Sequence, residues 1–425
     1  METEQIATPS QPRPSGWRIW LACWLATTAV AAGGFIYSWN KLDVKKGKAP
    51  LDSLGNWAGG EYQRIISDGY DYDPKKQSDI AFLPAQPLAA RFFTVFGFSP
   101  NVALLFVSNV CLLASFGLMA VYLRPEVRGR LLTAPGGASA AGGDAVAGPF
   151  SRKTLVYTLL AMGVWPTAYF FRVGYGESLL LFLSIATVVI IARGGPLWNA
   201  AVLAGLATAV RPSGLALLLP LGWEIWRDSD TSREAAKRMA ILLPIACWGI
   251  LAFMLYQWSK FGDPLAFCAN EFDQWRTRPR ATPPGDKFWA LVTWEPIWGA
   301  YVPGAWASTP DPDPIPIPFL SMQLANPILW VGAVALTTIG GLKRWLSSHE
   351  LLFAGAALAM PYLARGYEMS MSGQGRMTAV VFPIYIVLGQ LLTRLPIIIS
   401  AALLSISAVF MAAYAALFVA GYWVI

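Results

Sequence analysis

Long apolar blocks separated by polar segments dominate the chain, at about 17–39, 99–123, 154–171, 177–193, 197–226, 239–258, 324–342, 350–364, 376–392 and 396–424. Many approach the roughly 20 residues that cross a bilayer as a helix. The pattern predicts an all-α polytopic membrane protein. The short connecting segments are basic: Arg124, Arg128 and Arg130 with Arg152 and Lys153; Arg227, Arg233, Lys237 and Arg238; Lys343 and Arg344; Arg394. By the positive-inside tendency these face the cytoplasm. Arg193 and the run from Arg227 then share one side, so 197–226 has to cross twice or re-enter, broken at Arg211-Pro212-Ser213-Gly214. The count comes to about 11 crossings, with the C-terminus outside.

Two long polar segments, 40–98 and 259–323, are expected outside. Lys41, Lys45, Lys46 and Lys48 oppose the charge rule, which long loops obey weakly. Residues 1–16 read as a cytoplasmic tail, 17–425 as one transmembrane domain, and the Gly/Ala-rich 131–149 as a flexible linker. No internal repeat is visible. The first block is too long and tryptophan-rich for a signal peptide, and its leader carries Glu2 and Glu4; an uncleaved anchor is expected.

Composition agrees: 55% of residues are hydrophobic and 13% charged, against about a quarter charged in soluble chains. Trp17, Trp20, Trp39, Trp198, Trp258 and Trp345 stand where apolar meets polar, as in an interfacial belt. Topology accounts for most of the net charge of +7, so nucleic acid is not an expected partner. Cys23, Cys111 and Cys247 lie in apolar blocks and Cys268 in a loop, and His349 is the single histidine. No disulfide framework or metal pattern emerges.

Four stretches carry candidate chemistry. In the first external segment, Trp57, Glu61, Arg64 and Asp68 share one helical face, and Tyr62, Ile65, Ile66 and Gly69 another. An amphipathic interfacial helix is predicted, ending at the Gly69-Tyr70 turn; its charged face also suits plain solvation. A second apolar segment, interrupted by Pro84 and Pro87, is expected to lie at the interface. Arg172, Tyr175, Glu177 and Ser178 cluster in a tight outer hairpin, where ordinary loop polarity is the competing reading. Arg211 sits inside an apolar stretch, where an arginine costs on the order of 2.5–3.5 kcal/mol unless it meets a carboxylate or a phosphate. Gln374 lies between two glycines, and Arg376 opens the next helix, where an anion would offset the dipole and simple snorkelling is the alternative. Gly262-Asp263-Pro264 reads as a turn.

In order, these segments resemble the PIG-V family of GPI mannosyltransferases and its bacterial relatives, within the GT-C glycosyltransferase superfamily. Trp57 to Tyr70 stands for the family's W-D-x-x-W-Y-x-x-I-A-x-x-G-Y, Ala81 to Leu88 for A-F-F-P-x-Y-P-L, and Gly174 to Leu179 for P-Y-S-E-S-L. Ala204 to Gly214 stands for A-G-L-A-T-A-x-R-P-T-G, and FGDPLAF and G-x-G-R-x recur at 261–267 and 373–377. The resemblance covers about 17–392. It implies a GT-C-like bundle and inverting transfer of a sugar, mannose in the family, from a polyprenyl- or dolichyl-phosphate donor to a lipid or glycan acceptor on the non-cytoplasmic side. No cofactor is called for. Arg211, Arg172 and Arg376 would hold the donor phosphate. Trp57, Arg64, Asp68, Tyr70, Tyr175, Glu177, Ser178 and Gln374 would shape the pocket.

The family's loop aspartate falls on Ala58, which cannot accept a proton. Glu61, one turn on, is the expected substitute, with Asp52 and Asp43 as further carboxylates. Two other functions fit the same residues: a lipid-linked substrate transporter or flippase using Arg211 at the broken span, or a catalytically silent GT-C relative. A bacterial inner membrane is expected over the endoplasmic reticulum, since no retrieval signal ends the chain.

Overall fold

A computed structural model describes residues 16–42, 49–132, 151–275, 283–302 and 320–424. The described residues are helical, without strands. The first half comprises α1 (Gly16–Lys41), α2 (Ala58–Asp68), α3 (Ala85–Thr94), α4 (Pro100–Tyr122), α5 (Pro125–Leu132), α6 (Arg152–Val164), α7 (Glu177–Ala192), α8 (Leu197–Val210) and α9 (Leu218–Arg227). There follow α10 (Ser232–Ile245), α11 (Trp248–Phe261), α12 (Ala266–Asp273), α13 (Pro284–Val292), α14 (Met322–Leu342), α15 (Ser348–Pro361), α16 (Gln374–Ala379), α17 (Pro383–Arg394) and α18 (Ile397–Ala420).

Local chemistry fixes many of these starts. Ser151 and Thr231 accept from the backbone N–H groups of Thr154 and Glu234, and Pro100 occupies a first turn where its missing N–H is harmless. Ser347 and Glu350 form a capping box at α15.

Among the described residues, α1, α4, α14 and α18 are long and apolar enough to cross a membrane. The pair α10 and α11, bent by 52° beyond Pro244, would make a fifth. The expected 11 crossings are therefore not borne out. The apolar blocks are real, but several fold into pieces shorter than a bilayer. α6 and α8 have 13 and 14 residues, so each rises only about 20 Å against a hydrocarbon core of about 30 Å. The 376–392 block breaks before Pro383 into α16 and α17. Such segments serve inside a bundle, where neighbouring protein satisfies the interrupted backbone.

The 197–226 block breaks at the expected place. α8 ends before Arg211, residues Pro212–Leu217 form a 3-10 turn, and α9 runs back. Gly214 makes the fold-back possible: a Cβ there would lie 2.4 Å from the Ala207 carbonyl carbon. One guanidinium shows that the chain returns to its starting level. Arg130 donates to the carbonyl of Ile191 at the end of α7 and, at 2.9 Å, to Glu224 on α9.

The long helices pack through small residues, as apolar helices do when backbones must approach closely. α1 lies along α18, with Gly34 so close that a Cβ would meet the Ala412 carbonyl oxygen at 2.3 Å. α6 pairs with α17 and α4 with α7. Two buried polar clusters thus occupy opposite ends of α7, about 24 Å apart by its 16 residues. One holds Arg130 and Glu224, and the other begins at Glu177.

Candidate functional site

Residues 58–68, in the first long polar segment, form the predicted amphipathic helix. In α2, Tyr62, Ile65 and Ile66 are buried while Arg64 and Asp68 are exposed. Its start is strained: Trp57 has φ 56°, a conformation costly for a bulky residue. Trp57 stands edge-on to Trp423, with ring centroids 4.7 Å apart. The Ala58 N–H donates to the Tyr175 hydroxyl (3.2 Å), which donates to the Asn56 carbonyl (3.1 Å). Asn56 in turn donates to the Phe418 carbonyl at 3.0 Å. Three distant stretches therefore meet around Tyr175.

Beside Tyr175 lies an ion cluster. Glu177, on the first turn of α7, is 1% exposed and accepts from Arg211 Nη2 at 2.6 Å. Arg376 Nε stands 3.1 Å from the same oxygen. The Arg376 guanidinium also lies over the Phe170 and Tyr175 rings, at 5.3 and 5.4 Å from their centroids, where the ring faces attract a cation. Two positive charges thus share one negative charge. The hydrogen bonding is incomplete too: Glu177 Oε2, Arg211 Nε and the Gln374 side-chain oxygen are buried without a partner. Gln374 donates to the Pro361 carbonyl at 2.9 Å, and Asn326 accepts from the Gly375 N–H at 2.8 Å. The turn leading into α16 is strained, with Ser370, Met371 and Gly373 all at positive φ.

Arg211 opens onto a cavity of about 260 Å³. Its wall includes Tyr62, Phe82, Leu83, Val210, Phe267 and Met360, with Ser213, Glu271 and Arg365 as polar members. A second, more apolar cavity of about 640 Å³ runs past the next turns of the same segments. Ile65, Ile66 and Tyr70 line it beyond Tyr62, Pro84 and Leu88 beyond Leu83, and Leu206 and Ala209 before Val210.

The expected site residues divide. Arg211, Arg376, Glu177 and Tyr175 come together, Ser178 supports them by donating to the Phe171 carbonyl, and Gln374, two residues before Arg376, bonds instead to the Pro361 carbonyl. Arg172 does not join them. Its guanidinium is buried but donates to the Ala168 carbonyl (3.1 Å) and to Thr27 on α1 (2.9 Å). The backbone reverses at 172–176, which sends neighbouring side chains to different layers.

Glu61 is not on the cavity wall. It pairs with Arg64, whose Nε is 3.7 Å from Asp79. Burial pushes the Glu61 carboxyl above the usual carboxylate range, against the pull of Arg64. Burial does the same to Asp79, which accepts the Asp71 N–H at 2.8 Å. Asp68 and Asp52 are exposed and Asp43 lies outside the described residues. Tyr70 donates to the Phe82 carbonyl at 2.8 Å.

Two charged cavity residues, Glu271 and Arg365, were not singled out from sequence. Glu271 and Cys268 belong to helix α12 rather than to a loop, and Arg365 follows α15 in a π-turn. The apolar run at 265–268 after the Gly262 turn is the signal that a short helix begins there. No family model matches the chain, and none of the curated proteins searched matches it.

Proposed function

We propose that this protein is a membrane glycosyltransferase that takes a sugar, mannose by resemblance, from a polyprenyl- or dolichyl-phosphate donor on the non-cytoplasmic side. The observation that carries it is the excess positive charge of Arg211 and Arg376 over Glu177, placed where Arg211 meets a largely apolar cavity. A buried charge without a full counter-charge costs several kcal/mol, and an amphipathic anion entering the cavity would offset it. Guanidinium presents a planar fork to phosphate and, in transfer, would stabilise the leaving phosphate as its charge grows. The adjoining apolar cavity suits the prenyl chain. The PIG-V-like order of the segments that meet here supports a GT-C-like bundle.

Ala58 favours a second reading, a silent relative that binds the lipid without transferring sugar. Proteoliposomes given radiolabelled polyprenyl-phosphate mannose separate the outcomes. Label appearing on an acceptor, and lost in Arg211→Gln, supports the transferase. Lipid flux without transfer makes the protein a flippase. Binding without either makes it silent.

A further inference from the structure

Glycosyl transfer to a hydroxyl needs a carboxylate within reach of the donor. Resting on the transferase reading, we propose that Glu271, from the second external segment, is the group that accepts the acceptor's proton. Among the described residues it is the one carboxylate on the wall of the cavity that Arg211 enters. The other nearby acids lie off that wall. Glu177 is buried between two arginines, Glu61 is held by Arg64 off the cavity wall, Asp79 caps the Asp71 N–H, and Glu368 pairs with Lys287.

Glu271 is held but not saturated. Its Oε1 is 3.4 Å from Arg365 Nε, yet that oxygen is buried and accepts no hydrogen bond. It therefore keeps a free lone pair beside the Arg365 guanidinium. Its helix is anchored rather than loose. The neighbouring Asn270 is 1% exposed, accepts from Ser78 N and Trp275 Nε1 (both 3.0 Å), and donates to the Lys76 carbonyl (2.8 Å). The Phe267 N–H donates to Gln257 at 3.0 Å. Phe267, Cys268, Glu271 and Phe272 all line the cavity, at the i, i+1, i+4, i+5 spacing of one helical face. In the step itself, the acceptor O–H proton passes to the Glu271 carboxylate as that oxygen bonds to the anomeric carbon. The bond from that carbon to the phosphate oxygen breaks, and its electron pair leaves with the phosphate at Arg211.

Two acceptors test this in proteoliposomes with radiolabelled polyprenyl-phosphate mannose: octyl mannoside, whose hydroxyl must lose a proton, and azide, which has none to lose. Removing a general base costs about 10²–10⁴-fold. Glu271→Gln is expected to lose that factor with octyl mannoside and to stay within about twofold of wild type with azide, while Glu271→Asp keeps part of the hydroxyl rate. Equal loss on both acceptors in Glu271→Gln would make the residue structural, and an unchanged hydroxyl rate would move the base elsewhere; either result leaves the transferase standing. Wild type inactive toward both acceptors overturns the transferase and this role together.

Discussion

Replacing Glu177 with glutamine removes the single negative charge between two buried guanidiniums. The side chains of Arg211 and Arg376 are 15% and 8% exposed, and each has Glu177 Oε1 as its ion-pair partner. Breaking a buried pair by deleting one partner costs about 3–5 kcal/mol, because the remaining charge cannot regain water. Here two cations are stranded, so the upper part of that range applies. Arg211→Gln is different: Glu177 keeps Arg376 at 3.1 Å, the local charge becomes balanced, and the loss reduces to one charged hydrogen bond, about 1.5–3 kcal/mol. Denaturant unfolding in mixed micelles should therefore rank Glu177→Gln well below Arg211→Gln. If polyprenyl phosphate supplies the missing anion, as proposed, ligand at a hundredfold its Kd would add about 2.7 kcal/mol, and at one fixed lipid concentration the gain should be larger in Glu177→Gln than in wild type. Equal destabilisation by the two variants, or no lipid rescue of Glu177→Gln, would refute the charge-balance argument.

Single contacts elsewhere in the fold carry further tests. Glu61 is an acid whose carboxyl burial raises, so its ionised form costs stability above the raised value, and the cost vanishes as pH falls below the unfolded value. Glu61→Gln should stabilise the protein at pH 8, with the gap from wild type closing toward pH 4; a gap that widens on acidification would reverse the sign. Gly34→Ala and Gly214→Ala each drive a Cβ into backbone at 2.3–2.4 Å, an overpacking cost of typically about 1–3 kcal/mol. Gly33→Ala, with nothing within 4 Å, is the control and should be neutral or slightly stabilising. Thr27→Val removes one of the two acceptors of Arg172 and should cost about 1–3 kcal/mol, with polyprenyl-phosphate affinity kept within twofold. A tenfold fall in affinity at unchanged stability would return Arg172 to the phosphate site.

Periodicity and local signals made much of this legible in sequence. The amphipathic face of α2, the break at Arg211-Pro212 and the turn at Gly262 are each written within a few residues, and each stands where expected. The number of spans was not legible in the same way. Hydropathy registers an apolar block whether it crosses a bilayer or packs as a 14-residue piece inside protein, and only neighbours such as Ala207 against Gly214 distinguish the two. Direction was equally hidden. Arg172 and Glu177 are five residues apart, yet one points to α1 and the other to Arg211. Glu271 escaped notice because its significance comes from Asn270 bonding to 76–78 and from Arg365, far off in the chain.

The buried carboxylates differ in a way that separates scaffold from site. Glu350 uses both oxygens: Oε1 accepts from Tyr122 and Arg128, and Oε2 from Arg128 and the Ser347 N–H, all between 2.6 and 2.8 Å. Glu224 likewise accepts from Arg130 and Arg227 on one oxygen and meets His349 on the other, between 2.8 and 2.9 Å. Those clusters join α4, α5, α9 and α15 at one end of the bundle, where both oxygens of each carboxylate are occupied although His349 Nδ1 is not, and carboxylates held in that way rigidify a bundle. Glu177 carries two arginines on one oxygen and nothing on the other, beside a cavity and two strained turns. Were this cluster merely another brace, selection for stability alone would favour giving its carboxylate donors on both oxygens, as Glu350 and Glu224 have. One cation in excess destabilises the isolated protein, a cost that would make sense if, as proposed, an anionic substrate supplies the missing charge. Measured unfolding free energies would therefore rise on adding polyprenyl phosphate by an amount that Glu224→Gln leaves intact and Arg211→Gln abolishes; the same lipid gain in both variants would mean that the anion binds somewhere else.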